Sequence, residues 1–385
     1  MANSSLQAAR NAKNDEFYTQ WVDIEREMNA YLEFDPDVFR DKVVLLPCDD
    51  PKWSNFTKFF ALHFEDFGLK KLVSTSYAPR SNTAFDSLQP SLFDVADPYD
   101  SADRQYDEAM AWKNGRVFVL ERKDVSGDGV VNIDDLQWTY LEGDGDFRSE
   151  EVTRLRDEAD VVITNPPFSL FREFVDWLVE GGVKFSIIGP ESAITYKEIF
   201  PLIRDNRIWL GNGFAKGDAY FKVPKNADGS GYAAGVFDAG ERMVHFRNVG
   251  WFTNVDHGRR HEPMQLMTME DNRRFSRRQR IREAGYPQYV NYDGIEVGFV
   301  EAIPSDYNGD MGVPVSFLNR YNPEQFEIVG QSLELATPIK EVADPEDTFI
   351  QGGKRFYLRE DNGANTLRRM FDRVVIRHRQ EEGEK

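Results

Sequence analysis

One tetrapeptide near the middle of the chain has the side chains needed to hold an amino group. It follows four β-branched residues, 161–164, and consists of Asn165, Pro166, Pro167 and Phe168. The β-branched run predicts a buried strand, and the prolines predict a rigid turn directly after it. Two prolines fix φ and remove two backbone N–H donors, so the carbonyl groups of the turn are left as acceptors. With the Asn amide oxygen and the flat Phe ring, these acceptors suit a planar exocyclic amine whose ring is stacked.

Two other loops carry carboxylates close to predicted elements. The first follows a predicted strand at 43–46 and contains Cys48, Asp49, Asp50 and Pro51. Either aspartate could accept a charge-assisted hydrogen bond from a ligand or cap the helix that follows. The second contains Asp146 and Phe147, which could contact a ligand or form an ordinary Gly-Asp turn. Because ligands bind at the carboxyl ends of strands in a doubly wound sheet, we expect both loops to lie near the tetrapeptide.

The elements that must position these residues alternate between strand and helix over the first two-thirds of the chain. This alternation is typical of an α/β protein with a parallel sheet. The predicted helices are 15–33, a helix from 54, a helix from 149, and 169–180. The predicted strands are 43–46, 72–75, 117–120, 161–164, 185–188 and 208–210.

The pattern changes after residue 212 to short strands, such as 248–255, separated by Gly, Asn and Asp turns. We therefore predict a first domain over 1–212, with an insertion-like segment at 79–142. A less regular lobe is predicted over 213–385, with a helix near 364–373. Strands of this lobe could return to the first sheet.

The charge distribution bears on whether the partner is a nucleic acid. The net charge of −19 opposes binding to phosphate. Residues 259–282, however, carry eight arginines against three acids. Such a segment is either a solvated charged surface or a phosphate contact, since arginine pairs bidentately with phosphate. The arginines of interest are Arg259, Arg260, Arg273, Arg274, Arg277 and Arg278.

Composition restricts the cellular setting and the metal chemistry. Cys48 is the only cysteine, which excludes an intrachain disulfide and a cysteine-based zinc site. No apolar run approaches the roughly 20 residues that span a bilayer, and the polar N-terminus does not look like a signal peptide. We therefore expect a soluble, cytoplasmic protein without a membrane partner. His257 and His261 have the spacing of one helix face but no obvious carboxylate partner, and we assign no functional metal.

Residues 124–135 resemble a calcium loop of the EF-hand kind. Oxygen-bearing side chains stand at loop positions 1, 3, 5, 9 and 12, with Gly at 6, but position 12 is Asp instead of the bidentate Glu. A plain Asp/Gly turn explains the same residues, and a metal bound there would be structural.

Taken together, the motifs resemble the EcoRI-type adenine-specific DNA methyltransferases. The matching segments follow in order between about 13 and 330, and the insertion-like segment and the arginine-rich segment match least well. They are 13–20, 48–52, 54–56, 143–149, 164–173, 194–198, 208–211, 306–309, 311–314 and 322–326. The last 50 residues also match less well.

The resemblance implies a Rossmann-like doubly wound methyltransferase sheet with an irregular C-terminal target-recognition lobe. It implies site-specific methyl transfer from S-adenosylmethionine to N6 of an adenine flipped out of double-stranded DNA. The tetrapeptide would be catalytic, the arginines would contact DNA, and a cognate restriction endonuclease could act on the same site. The implied cofactor-binding residues are Phe17, Tyr18, Thr19, Cys48, Asp49, Asp50, Pro51, Asp146 and Phe147.

Two alternatives fit the same tetrapeptide. Methyltransferases that modify RNA guanine or a protein glutamine share Asn-Pro-Pro-aromatic motifs. A catalytically inactive DNA-binding relative would retain the fold without the activity.

Overall fold

The computed structural model describes most of the chain. The described ranges are 18–51, 54–78, 106–111, 113–214, 219–222, 235–238, 243–246, 248–350, 354–360 and 365–379. The chain divides into two compact units, Met1–Ala193 with Leu210–His257, and Ile194–Trp209 with Gly258–Lys385. The functional division predicted after residue 212 is a separate matter and stays a prediction.

A mixed sheet of eight described strands organises the first unit. In sheet order its strands are Gln137–Tyr140 (β5), Arg116–Glu121 (β4), Lys71–Ser76 (β3), Val43–Leu46 (β2), Val161–Thr164 (β6), Lys184–Pro190 (β7), Val249–Thr253 (β12) and Trp209–Leu210 (β8). The four central strands, β3, β2, β6 and β7, are parallel to one another. Strands β4, β5 and β12 pair antiparallel with their neighbours. The α/β class is confirmed, and the sheet is mixed because antiparallel strands flank its parallel centre.

A second, antiparallel sheet also belongs to the first unit. In sheet order its described strands are Tyr18–Thr19 (β1), Ala219–Lys222 (β9), Met243–Phe246 (β11) and Gly235–Asp238 (β10).

Three helix ends of the first unit coincide with capping residues in the sequence. The helices are Trp21–Phe34 (α1), Asn55–Leu62 (α2), Glu108–Ala111 (α3), Glu150–Glu158 (α4) and Phe171–Gly181 (α5). The Ser54 hydroxyl accepts from the Phe56 N–H at the start of α2, and the Ser149 hydroxyl accepts from the Val152 N–H at the start of α4. Helix α5 ends at Gly181 and is capped by Gly182, which has a left-handed φ of 62°.

The strand order reverses between β2 and β6. Helix α2 leads from β2 to β3 on one side, whereas β6 pairs with the other side of β2 and leads through α5 to β7. In open α/β sheets this reversal leaves a crevice outside the carboxyl ends of the two strands, where ligands bind. The loops after β2 and β6 are two of the three sequence segments predicted to hold ligands.

The second unit contains two small sheets and short helices. In sheet order the strands are Ile295–Glu296 (β13), Met311–Pro314 (β14), Arg373–His378 (β19) and Phe326–Gln331 (β15), then Thr348–Phe349 (β16), Thr366–Arg369 (β18) and Tyr357–Arg359 (β17). The helices are Phe200–Arg204 (α6), Met269–Phe275 (α7), Gln279–Ala284 (α8), Ser332–Leu335 (α9) and Ile339–Val342 (α10). Over the described ranges, no helix is both long enough and apolar enough to cross a membrane.

The helix predicted near 364–373 is wrong. The segment forms β18 and the start of β19, and β19 pairs with both β14 and β15. The residues around Leu367 favour a helix locally, but pairing with strands distant in the chain outweighs this preference. The neighbouring Val374, Val375 and Ile376 favour a strand when such packing is available.

Candidate active site at the carboxyl ends of β2 and β6

The tetrapeptide 165–168 leaves the sheet at the carboxyl end of β6, where the sequence predicted it. All four residues of β6 are buried, which fixes the start of the turn. Pro166 is buried as well, whereas Asn165, Pro167 and Phe168 are half-buried. The chain then continues through the short turn Phe168–Leu170 into α5. The turn is thus anchored at both ends, and Asn165 and Phe168 are half-buried residues, with the Asn165 Oδ1 atom itself buried.

The Phe168 ring is held by the hydrophobic core on one side. It packs against the main core cluster of the first unit and lies 6.3 Å from the Phe246 ring in an edge-to-face arrangement. Such contacts orient an aromatic ring without covering it completely. The ring is therefore held by the core and remains half-buried, and its predicted stacking on a flipped base stays a prediction.

The loop after β2 turns sharply at Cys48. Its φ of 65° lies in the left-handed region, which costs an L-residue about 1–2 kcal/mol and is usually taken by glycine. The Cys48 N–H donates to the Thr75 hydroxyl at 3.2 Å, which ties the turn to β3. Cys48 thus adopts the backbone conformation that a glycine-rich cofactor turn would supply.

Asp49 is buried and holds this loop together. One carboxyl oxygen is 2.7 Å from the Ser54 hydroxyl and the other is 2.5 Å from the Thr164 hydroxyl. Its backbone carbonyl accepts from the hydroxyls of Thr57, at 2.9 Å, and Ser74. Asp49 therefore connects the ends of β2, β3 and β6 with the start of α2.

Burial controls the ionisation of Asp49. It raises the pKa of this carboxyl from 3.8 to about 7, although the hydrogen bonds from Thr164 and Ser54 act in the opposite direction. The negative charge of Asp50 raises the pKa further.

Asp50 is the more accessible of the two aspartates. It is half-buried, and its backbone carbonyl accepts from the Ser54 N–H at 2.8 Å. Burial lowers the pKa of Lys58 on α2, and the charge of Asp50 partly offsets this effect. The next residue, Pro51, is buried.

The N-terminal candidates lie on or before β1. Phe17 lies outside the described residues. Tyr18 and Thr19 form β1, and the Thr19 carbonyl accepts from the Asn55 side chain at 2.7 Å, next to the loop after β2. The Thr19 hydroxyl is buried and has no hydrogen-bond partner among the residues described here. A buried donor of this kind is usually satisfied by a ligand or water.

The loop 143–147 packs against the end of β3. Gly145 has a φ of 86°, and a Cβ added there would lie 2.3 Å from the Ser76 carbonyl oxygen. Both carboxyl oxygens of Asp146 accept from the Arg148 guanidinium, at 2.9 and 2.6 Å. Burial raises the pKa of Asp146, but the hydrogen bonds and charge of Arg148 outweigh it, so the pKa is lowered overall.

The Phe147 ring is part of the core. It is buried against Phe174 and Trp177 of α5, with ring centres at 4.9 and 5.6 Å. Its predicted contact with adenosine stays a prediction, and this packing gives the ring a structural role.

The predicted DNA-contacting arginines fall into two groups. Arg260 is buried, with its guanidinium 3.6 Å from the centre of the Trp209 ring and 2.5 Å from the Asn206 side chain. Arg259 is half-buried. The exposed group lies on and after α7, and its members are Arg273, Arg274, Arg277 and Arg278. Two exposed members have acidic partners: Arg274 pairs with Glu270, and Arg278 pairs with Glu301.

Further positive charge lies near α8. Burial lowers the pKa of Arg280, and the charges of Arg368 and Arg373 lower it further while Glu296 opposes them. Arg368 lies 88 positions further along the chain, so no local pattern predicts that it lies near the arginine-rich segment.

The calcium-like segment 124–135 forms a loop closed by its own hydrogen bonds. One Asp135 oxygen accepts from the N–H groups of Val125 and Ser126, and the other accepts from that of Asn132. These bonds lower the pKa of Asp135. In the described part of the chain, no group of three or more His, Cys, Asp or Glu side chains is arranged to hold a metal.

His257 and His261 do not share a helix face, contrary to the spacing-based prediction. His257 lies in a loop with its Nε2 3.1 Å from the Leu210 carbonyl oxygen. His261 ends the short turn Gly258–His261, and its Nδ1 lies 2.9 Å from the Glu324 carboxylate. Local spacing failed because no helix forms there.

The sequence analysis missed two features of this sheet edge. One is the set of buried hydroxyls around Asp49, supplied by Ser54, Thr57, Ser74 and Thr164. The positions of Thr164 at the end of β6 and of Ser54 at the start of α2 were usable signals. The other is Glu191, half-buried directly after β7, whose pKa is raised by burial.

Comparison with known proteins identifies relatives over nearly the whole chain. Residues 5–379 match the family described as adenine-specific methyltransferase EcoRI. The chain is 41% identical to the Type II methyltransferase M.EcoRI of Escherichia coli, over 85% of this chain and 89% of that protein. It is 31% identical to M.MpnI of Mycoplasma pneumoniae, over 97% of each chain. It is also 31% identical to M.MgeORF184P of Mycoplasma genitalium, over 97% and 98% of the two chains. No solved structure matches.

Proposed function

This chain belongs to the family of the adenine-specific methyltransferase EcoRI and is a DNA adenine methyltransferase, and we propose that it uses S-adenosylmethionine to methylate N6 of a flipped adenine. The observation that carries the proposal is the meeting of two loops at one sheet edge. The tetrapeptide 165–168 follows β6, and the loop 47–51 follows β2, where the strand order reverses. Ligands of open α/β sheets bind at this point.

The residues around the loop 47–51 fit a cofactor with an ammonium group and several hydrogen-bonding atoms. The buried Thr19 hydroxyl, which has no partner among the described residues, suits such a group. The half-buried Asp50 carboxylate suits the ammonium. Cys48 and Pro51 would supply backbone to the same contact, and the segment with Asp146 and Phe147 would lie toward the adenosine. When bound, the cofactor supplies an electrophilic methyl group.

The tetrapeptide would act on the adenine amine. The Asn165 side-chain oxygen and the Pro166 carbonyl accept hydrogen bonds from its N–H groups, which raises electron density on the nitrogen. Pro167 keeps the turn rigid, and Phe168 stacks on the flipped ring. Most of the rate enhancement is then positional, since a well-oriented reactant pair gains several kcal/mol over free collision.

We further propose that the mixed sheet is a Rossmann-like methyltransferase sheet and that residues 213–385 form the target-recognition lobe. The exposed arginines 273, 274, 277 and 278 and the half-buried Arg259 would contact the phosphates. Arg260 is not carried into this proposal, because a buried guanidinium stacked on Trp209 cannot reach a duplex. A restriction endonuclease with the same target is the partner we propose, since the relatives are named Type II methyltransferases.

The test is product identification. The purified protein is incubated with methyl-tritiated S-adenosylmethionine and, separately, duplex DNA, RNA and protein extract, and the labelled product is digested and chromatographed. We expect label in N6-methyladenine from duplex DNA. Label in guanine from RNA or in glutamine would favour the alternative methyltransferases. Absence of both label and cofactor binding would indicate an inactive DNA-binding relative.

A further inference from the structure

The hydroxyl of Thr164 faces two acceptors at hydrogen-bond distance. Its oxygen is 2.8 Å from the Pro47 carbonyl oxygen and 2.5 Å from a carboxyl oxygen of Asp49. A hydroxyl has one proton and can donate to only one of them. If it donates to Pro47, its contact with an ionised Asp49 would bring two oxygen atoms together without a proton between them.

The hydrogen bond to the second carboxyl oxygen of Asp49 does not supply the missing proton. Ser54 donates to Asp49 at 2.7 Å, and the Ser54 oxygen accepts from the Phe56 N–H at 3.0 Å, so its single proton is already used. A proton on the Asp49 oxygen nearest Thr164 gives a hydrogen bond to each of the groups involved, namely the Asp49 carboxyl, the Thr164 hydroxyl and the Pro47 carbonyl. Asp49 then donates to Thr164, and Thr164 donates to Pro47.

The surroundings of Asp49 also favour the neutral form. Its side chain is buried, and within the described residues it makes no ion pair. Strands β3 and β6 contact Asp49 through hydroxyls, since Ser74 reaches its backbone carbonyl and Thr164 reaches its carboxyl group. The titratable groups nearby are Cys48 and Asp50 in the same loop and Lys58 on α2, and Lys52 lies outside the described residues.

The charges near Asp49 do not compensate for its burial. The neighbouring charge that acts on Asp49 is that of Asp50, which is negative and raises the pKa of Asp49. Burial is the largest cause of the raised pKa, which reaches about 7.

We propose that Asp49 is a positioning residue that works as a neutral carboxylic acid, donating to Thr164 and so fixing the cofactor loop to the residue before Asn165. Ionisation replaces this donor with a second acceptor, which loosens the loop 47–51 and weakens cofactor binding. The inference rests on the proposed function, in which this loop holds S-adenosylmethionine. It differs from the expectation that Asp49 binds the cofactor as an anion.

The substitution Asp49→Asn separates the two roles. An amide keeps the acceptor for Ser54 and the donor for Thr164, so it imitates the neutral acid and has no proton to lose. The affinity for S-adenosylmethionine is measured by calorimetry from pH 6 to 8.5 for the wild type and for this variant. Asp66→Asn, at a side chain that is 79% exposed, is the matched control.

We expect the wild-type affinity to fall with pH relative to that of Asp49→Asn. At pH 8.5, which is 1.5 units above a pKa of about 7, about one molecule in thirty remains protonated, so the relative loss is at most about thirtyfold. The amino group of the cofactor also titrates in this range, and the Asn variant contains the same contribution. The Asp66→Asn control should follow the wild type.

Two results would overturn the inference while leaving the proposed function intact. One is a large loss of affinity in Asp49→Asn at every pH, which would mean that the negative charge itself binds the cofactor. The other is an identical pH profile for the wild type and Asp49→Asn. Failure of the proposed function is recognised separately, because the wild type would then neither bind the cofactor nor label DNA.

A second pair of variants keeps the test valid if Asp49→Asn does not fold. Thr164→Val removes the hydroxyl but keeps the branched shape, and Thr164→Ser keeps the hydroxyl. We expect Thr164→Val to raise the KM for the cofactor at least fivefold with less effect on kcat, and Thr164→Ser to retain the wild-type KM. Equal KM values for Val and Ser would contradict the role given to this hydrogen bond.

Discussion

The buried carboxyl of Asp49 should make the stability of the protein depend on pH in a way that Asp49→Asn removes. Burial raises the pKa of this group from 3.8 in the unfolded chain to about 7 in the folded state. Below about pH 4 the group is protonated in both states and does not change the free energy of unfolding. Between pH 4 and 7 the unfolded chain releases the proton while the folded protein keeps it, so stability falls as pH rises. Above pH 7 the group is ionised in both states, and the loss of stability no longer changes with pH.

The magnitude follows from the size of the shift. A shift of about three pKa units corresponds to about 4 kcal/mol at 1.36 kcal/mol per unit. About 3 kcal/mol of this accrues between pH 5 and 8, a range in which most proteins stay folded. Because a domain is stable by about 5–15 kcal/mol, the effect is measurable.

The assay is urea unfolding followed by circular dichroism at pH 5, 6, 7 and 8. The free energies of unfolding of Asp49→Asn and the wild type are compared at each pH, so that contributions common to both proteins cancel. The difference in favour of the variant should grow by about 3 kcal/mol from pH 5 to 8. A difference that stays constant with pH, or that shrinks, would refute the reasoning. Asp66→Asn is again the control.

Further predictions concern the backbone and the arginines. Gly145→Ala should lower the free energy of unfolding by roughly 2–4 kcal/mol in urea, because it adds a clash with Ser76 to the strain of a positive φ. The control Gly127→Ala, at a φ of 81° in open space, should lower it by only about 1 kcal/mol. Arg260→Ala should lower the melting temperature without changing the salt dependence of DNA binding, and a reduced salt slope would contradict its buried role. The fourfold alanine variant at exposed positions should weaken DNA binding and lower the salt slope by about 1 for each arginine that contacts a phosphate, whereas an unchanged slope would remove the contact. Its substitutions are at Arg273, Arg274, Arg277 and Arg278.

Local signals in the sequence were sufficient for the elements that carry the site. The β-branched run 161–164 and the two prolines predicted both β6 and the turn after it, because strand preference and proline geometry act over a few residues. Ser54 and Ser149 marked the starts of α2 and α4 through capping, which is equally local.

The remaining features depend on contacts between distant parts of the chain. Asp49 and Asp50 could not be told apart in sequence, because the difference lies in Thr164, 115 positions away. The burial of Phe147 could not be predicted either, because it comes from packing against Phe174 of α5. Arg260 could not be distinguished in sequence from the exposed arginines that follow it, because its burial comes from stacking on Trp209. The strands at the C-terminus were missed because their pairing partners are β14 and β15.

The central claim is that Asn165 acts on the adenine amine and not on the cofactor. Its direct test measures the methylation rate of duplex DNA and the S-adenosylmethionine affinity of the same preparation of Asn165→Ala. We predict a rate at least about a hundredfold below the wild type, comparable to the loss of one preorganised polar contact in other enzymes, with cofactor affinity changed less than about threefold. A variant that methylates DNA at the wild-type rate, or that loses the cofactor, would contradict the account.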